Sequence, residues 1–259
     1  MTDFNFEANT RNYSRKNAYW LGKASQLAYK SKEEGQAEIS NWGLTEFEFF
    51  ELKDTQAFIA GNNEMLILAF RGTSDLRDWM TDADAALVNG PKGKVHDGFN
   101  TALSYVWRDI SGFIREKRQG RALWVTGHSL GAAVGTLAVA RFRLEKNEPV
   151  NGLYTFGQPR TGNWTFAKNF DKDFEAQTFR YVHNNDIVTR VPFRAMGYSH
   201  VGTFRYFDEN GNQRDNIDWW DKIKDRLKGR VNDFLELGTD GIKDHFMDNY
   251  VRCLEKAIK

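Results

Sequence analysis

Two spacings of apolar residues alternate along this chain. Short runs that are apolar at every position or every second one read as strands, and longer stretches with apolar residues three and four apart read as helices. MLILAF at 65–70 and LWV at 123–125 are apolar throughout, the pattern of strands covered on both faces. Residues 47–52 and 57–60 read as earlier strands, with Gly61-Asn62-Asn63 as the hairpin turn into 65–70. Later strands are expected at 150–156, 177–182, 198–207 and 213–216, the last two joined by the turn at 208–212. Helical spacing puts Trp20, Leu21, Ala24, Leu27 and Ala28 on one face. It also puts Phe99, Ala102, Leu103, Val106, Trp107, Ile110, Phe113 and Ile114 on the buried side of a long helix that Gly120 ends. Residues 132–143 form a helix rich in Ala, Leu and Val, and 219–230 a mixed-charge amphipathic helix. A last helix opens at Asp244 as its N-cap and carries Phe246, Tyr250, Leu254 and Ala257 on one face. Strands alternating with helices in this way predict an α/β fold, a largely parallel central sheet with helices on both faces.

The junction between strand 123–125 and helix 132–143 holds Gly127-His128-Ser129-Leu130-Gly131, a Gly-x-Ser-x-Gly. A serine at the tip of a sharp strand-to-helix turn takes strained backbone angles, and a side chain at either glycine would strike the crossing backbone. The helix that follows aims its free N–H groups and positive dipole end at Ser129, which suits a negatively charged intermediate. The N–H of Leu130 is one ready donor. The bare pentapeptide is modest support, because a Gly/Ser turn between a core strand and a core helix also produces it; the strand before and the helix after raise the functional reading.

Composition narrows the picture. Thirty-six basic and 35 acidic residues leave a net charge of +1, so there is no electrostatic footprint for nucleic acid. No stretch approaches 18 apolar residues, which argues against a transmembrane segment. The start, MTDFNFEANT, shows neither the basic nor the apolar part of a signal peptide, so the compartment stays open between the cytoplasm and a leaderless or mature secreted form. Cys253 is the only cysteine, which excludes an internal disulfide and a thiolate metal site. The chain reads as one domain across 1–259, with no linker dividing it.

A serine on such a turn is inert without a base, and the base needs an orienting carboxylate. Three histidines follow Ser129. His183 is too close in sequence to Asp186 to face it across a site, and His200 falls inside the alternating strand 198–207. His245, on a loop before the final helix, has the freedom to reach back and is the candidate base. Asp186 lies just past a strand's C-terminal end, where open α/β sheets place their chemistry, and is the candidate acid; the plainer reading is an Asx turn. Asp171 and Asp173 read as solvated helix-end charges. Thr73, in the Gly72 loop after strand 65–70, is the candidate second oxyanion donor. His96 reads as structural, hydrogen-bonded to nearby backbone. Leu76, Trp79 and Met80 make one apolar face on a very short helix, either fixed packing or a cover over the site.

FRGTSDLRDW, VHDGF, VTGHSLGAA, YTFGQPRTGN, YVHNNDIVTRVP and DHFMDNY, together and in this order, resemble the class 3 lipase family of α/β hydrolases over roughly 65–250. The resemblance implies a triad of Ser129, Asp186 and His245, an oxyanion hole of Thr73 and Leu130, and a lid at 75–83 that includes Leu76, Trp79 and Met80. It implies a serine carboxylic ester hydrolase acting at a lipid–water interface, foremost a triacylglycerol lipase, with no metal and no cofactor. Phospholipase A1 and feruloyl or aryl esterase activities share this machinery and stay open. A lipase-like binding module without the reaction should have lost part of the triad, whereas all three residues stand here.

If that segment is a lid, burial of its three large side chains contributes roughly 5 to 9 kcal/mol to the closed state, at about 1.5 to 3 kcal/mol each. Reversing a closed population of about 99 to 1 takes about 5.5 kcal/mol, which a lipid surface accepting those side chains supplies. Replacing Leu76 and Trp79 with Ser should therefore impair hydrolysis of an emulsified long-chain ester and spare that of a soluble short-chain ester. Equal loss on both, tracking a lowered melting temperature, would mark the segment as ordinary packing.

Overall fold

The computed structural model describes residues 3–73, 86–214 and 239–259. Their strands are β1 (Glu46–Leu52), β2 (Thr55–Gly61), β3 (Met65–Phe70), β4 (Leu87–Gly90), β5 (Gly93–His96) and β6 (Ala122–His128). These are followed by β7 (Gly152–Phe156), β8 (Gly162–Asn163), β9 (Thr178–His183), β10 (Tyr198–Ser199), β11 (Thr203–Phe207) and β12 (Gln213–Arg214). The described α-helices are α1 (Arg15–Leu27), α2 (Lys32–Asn41), α3 (Asp97–Lys117), α4 (Leu130–Ala140), α5 (Trp164–Phe174), α6 (Thr239–Lys243) and α7 (Met247–Ile258).

Eight strands form the main sheet in the order β1-β2-β3-β6-β7-β9-β11-β12. It is parallel from β3 to β11 and antiparallel at both margins. The central strands β3, β6, β7 and β9 are buried at every position, which is why β3 is apolar throughout and β6 is apolar from Ala122 to Val125. Their side chains divide by parity into two cores. Leu66, Leu68, Leu123, Val125 and Leu153 face α3, α4 and α5. Ile67, Ala69, Trp124, Tyr154 and Phe156 face α1 and α7. Edge strand β1 exposes Glu48 and Glu51, charges that discourage a further strand from pairing there.

α1 starts where Ser14 Oγ accepts the Asn17 N–H (3.2 Å), a serine N-cap. Ser31 and Glu34 close a capping box on α2, an element absent from the sequence reading, as was α5. A second, four-stranded sheet, β10-β8-β5-β4, was also not anticipated; two of its strands are only two residues long, too short for a periodic signal.

Three expectations are corrected. Residues 198–207 are not one strand. The chain breaks at Gly202, whose φ is +74°, so β10 joins the small sheet and β11 the large one. His200 therefore sits between strands, its Nε2–H donating to the Thr189 carbonyl (2.8 Å). Asp244 does not cap the last helix; α7 begins at Met247, Phe246 is 57% exposed, and the Asp244 carboxylate accepts from Asn184 Nδ2 (2.9 Å) and the Asn185 N–H (3.2 Å). Asp171 is half-buried rather than solvated; it accepts the Gly202 N–H (2.7 Å), and burial pushes its carboxyl up to about 6. The expected helix at 219–230 lies outside the described residues. His96 is structural as expected: its backbone N–H donates to the Thr161 carbonyl (3.0 Å) and its ring stacks on Phe99 at 4.2 Å.

Candidate active site

Four loops at the C-terminal edge of the parallel strands build the site. After β3 comes Gly72-Thr73, after β6 Ser129, after β7 Gly157 and after β9 Asp186. His245 enters from the other direction, between α6 and α7.

Ser129 stands at φ +58° and ψ −131°, a strained conformation for a residue with a Cβ. Its N–H donates to the Phe156 carbonyl (3.0 Å), which pins the turn to β7. A Cβ on Gly127 would collide with the Gly131 backbone, and one on Gly131 with the backbone of Phe70 and Arg71. The collision expected from the sequence is thus present on both sides of the serine. As the first residue of α4, Leu130 has no intrahelical acceptor for its N–H, and that N–H belongs to the helix end that faces the serine. Thr73 follows Gly72, whose own Cβ would crowd the Ser129 side chain at 3.0 Å, so this loop passes directly over the serine.

Asp186 is buried, at 1% exposure. Its Oδ1 accepts the Val188 N–H (2.9 Å), the Asx turn that was the plainer sequence reading. Its Oδ2 accepts two more hydrogens, from His245 Nδ1–H (2.8 Å) and from the Tyr250 hydroxyl (2.6 Å). The turn caps Val188 rather than Asn184-Asn185, and a carboxylate has acceptor sites enough for it and for the bond to His245. Burial by itself would raise this carboxyl; the His245 imidazole and the bonds from His245 and Tyr250 outweigh it and hold it below the ordinary range. The carboxylate is therefore ionised and fixes the His245 tautomer, with hydrogen on Nδ1 and the lone pair on Nε2. That Nε2 and Ser129 Oγ are both buried without a hydrogen-bond partner. A hydroxyl that can lose a proton and a nitrogen that can take one are thus both buried, each with its bonding capacity unused.

Three contributors escaped the sequence reading. Tyr250 was assigned to an apolar helix face, yet burial and the Asp186 charge push its phenol well up, so it stays a neutral donor; it also accepts the His183 N–H (3.0 Å). A hydroxyl within an apolar stripe was the available signal. Gly157, at φ +59°, leaves the space that His245 and Asp186 occupy; a Cβ there would lie 2.7 Å from the imidazole and 2.8 Å from the carboxylate. His128, the variable residue of the pentapeptide, is buried, and its Nε2–H donates to the His245 carbonyl (2.7 Å). His183 is joined to another loop: its Nδ1–H donates to the Asp244 carbonyl (3.0 Å). Leu76, Trp79 and Met80 lie outside the described residues. Among the described residues no group of three His, Cys, Asp or Glu side chains is arranged to hold a metal, and no helix is long and apolar enough to cross a membrane.

His128 carries a pH dependence. Burial, then the neighbouring His245, depress its imidazole from 6.5 to about 3. A depressed group contributes stability that is present above its unfolded value and is lost as the pH falls towards the folded one. Between about pH 6 and pH 4 this residue should cost about 1.4 kcal/mol per pH unit. His128→Gln should flatten that slope in denaturant titrations; an unaltered slope would show that the imidazole is not held neutral.

The family model for lipase (class 3) matches residues 67–196, half of the chain, including every candidate above except His245 and its neighbours on α7. The secreted mono- and diacylglycerol lipase A of Penicillium cyclopium is 36% identical over 177 residues, 63% of this chain and 56% of that protein. The chain thus spans little more than half the length of that curated relative. Among solved structures, the Rhizomucor miehei lipase–propeptide complex superposes with a TM-score of 0.66 at 26% identity, over 74% of this chain and 67% of that one. A triacylglycerol lipase described as having a serine protease triad at its catalytic centre gives 0.64 at 26%, over 74% and 79%. The fold is accordingly that of the α/β hydrolases, and the chain belongs to the class 3 lipase family.

Proposed function

We propose that this protein is a serine carboxylic ester hydrolase, foremost a triacylglycerol lipase, working through an acyl-enzyme on Ser129. The observation that carries the reading is the buried Asp186–His245 bond, made by a histidine outside the family match and beside a serine on a strained, glycine-flanked turn. The names of the relatives, lipases of acylglycerols, support lipid esters as the substrate class.

In this mechanism His245 Nε2 takes the Ser129 proton as Oγ attacks the ester carbonyl, and the C–O π electrons move to the oxygen. The N–H groups of Thr73 and Leu130 bind that oxyanion, and the positive end of α4 adds to them. Collapse expels the alcohol, which takes its proton from His245; water then repeats the sequence and releases the fatty acid. Asp186 stays ionised throughout, stabilising the imidazolium that forms twice per turnover, and Tyr250 keeps its Oδ2 aimed at Nδ1. No step calls for a metal or a cofactor. The chain works as one domain, with Leu76, Trp79 and Met80 as its lid.

Substitutions separate the roles. Ser129→Ala should lower turnover on the order of a millionfold and abolish labelling by an organophosphonate, with folding intact. Asp186→Asn should cost about ten-thousandfold, because the amide can donate to Nδ1 and so favours the wrong tautomer. Near-normal hydrolysis by either well-folded variant would remove that residue from the mechanism. A panel of triglyceride, phospholipid and aryl ester emulsions would decide the substrate: the triglyceride should turn over fastest.

A further inference from the structure

We propose that Tyr29 and His128 are positioning residues, which join the oxyanion loop to the loop of the base through one directed chain of hydrogen bonds. The inference rests on the reading of Thr73, Ser129 and His245 given above. The connection runs from the Gly72 backbone through Tyr29 and His128 to His245. The Tyr29 hydroxyl packs against Gly72, where an added Cβ would strike it. The Tyr29 hydroxyl lies 2.7 Å from His128 Nδ1, and His128 Nε2 lies 2.7 Å from the His245 carbonyl oxygen.

The direction of every link follows from the chemistry at the far end. A carbonyl only accepts, so His128 Nε2 must carry the hydrogen. A neutral imidazole with hydrogen on Nε2 offers a lone pair at Nδ1, so Tyr29 must donate there. The phenol oxygen, its hydrogen spent on His128, then faces the Gly72 backbone. Burial keeps His128 uncharged, and protonation would put a second donor against the Tyr29 hydrogen and break the chain. Bonds aligned head to tail polarise one another, so the ends are coupled more tightly than isolated pairs would be.

The placement of the ends gives the chain a catalytic consequence. Gly72 immediately precedes Thr73, and the accepting carbonyl belongs to His245 itself. The His128 ring also lies 4.4 Å from the His245 ring, at an interplanar angle of 31°. A Cβ on Gly72 would collide with the Tyr29 hydroxyl, so the glycine is what allows this close approach. The Tyr29 ring, 37% exposed, walls a cavity of about 810 Å³ that also reaches Thr73 and His245. The chain therefore runs along the rim of the site, between the group that moves the proton and the group that binds the oxyanion. Neither Tyr29 nor His128 touches reacting atoms in the mechanism; each acts through the loop it holds. A displacement of about 1 Å in such a support is enough to lower turnover on the order of a hundredfold.

The test compares Tyr29→Phe, His128→Phe and His128→Gln in the full chain, with p-nitrophenyl butyrate as the soluble ester and thermal melting as the check on folding. Tyr29→Phe removes the donor to His128 Nδ1 and the hydroxyl that packs on Gly72. His128→Phe retains a ring and removes both nitrogens. His128→Gln restores an N–H close to the position of Nε2 and so re-forms the link to the His245 carbonyl. Tyr29→Phe and His128→Phe should each lower kcat about 10- to 100-fold, with KM changed by less than about twofold. His128→Gln should recover most of the kcat lost in His128→Phe. The inference is overturned if folded Tyr29→Phe keeps kcat within about twofold of the parent, if the loss falls on KM alone, or if His128→Gln is as impaired as His128→Phe at equal melting temperature. Should His128→Phe not fold, Tyr29→Phe decides by itself. If Ser129→Ala hydrolyses this ester like the parent, the hydrolase reading fails; an inactive Ser129→Ala beside an unimpaired Tyr29→Phe rejects the hydrogen-bond chain alone.

Discussion

The backbone of Ser129 is the constraint on which the rest of the structure depends. Holding a residue with a side chain at φ +58° costs on the order of 1 to 3 kcal/mol, and it persists only where the surroundings leave no alternative. Here they leave none. β6 is hydrogen-bonded on both sides, to β3 and β7, and the Ser129 N–H is spent on Phe156. α4, buried along nearly its whole length, cannot rotate without tearing its contacts with the sheet. The glycines at 127 and 131 let strand and helix approach closely enough for that grip. Strain at one residue is thus held by cohesion spread over a strand pair and an apolar helix.

The legible part of this arrangement and the illegible part divide along a physical line. Whatever rests on a period or on local chain chemistry could be read: the all-apolar runs of β3 and β6, the amphipathic stripe of α3, the glycines around Ser129, the loop position of Asp186. What could not be read rests on groups brought together from distant positions. Tyr250 looked like one more member of an apolar stripe, because nothing nearby in sequence announces a carboxylate 64 residues away. His128 looked like filler in a motif, because its partners are 99 and 117 residues distant. The break at Gly202 was hidden by a continuous alternation of residue types, which says nothing about which sheet each half joins. Asp244 had the chemistry of a helix cap, and the chain uses that same acceptor chemistry on Asn184 and Asn185 instead.

Electrostatics explains why the buried charge at Asp186 is tolerated. An ionised carboxylate removed from water is costly unless its acceptor sites are filled, and here a backbone N–H, an imidazole and a phenol fill them. The same three donors that make burial affordable also leave the carboxylate only one orientation. Tyr250 beside the carboxylate and His128 beside the His245 carbonyl are both neutral and keep their protons in fixed places.

The division of the sheet's side chains between two cores has a consequence for how the molecule would come apart. The turn bearing Ser129 is anchored through α4 in one core, whereas His245 is carried by the segment leading into α7, whose Met247, Tyr250 and Leu254 belong to the other. α7 contributes no strand to the sheet and rests on α1 with Gly22 against Leu254, so its docking is separate from the strand pairing. A molecule with α7 undocked retains an intact elbow and loses its base and the tyrosine behind the acid together. On the proposed mechanism, undocking of these twelve residues would remove activity while the sheet stays paired.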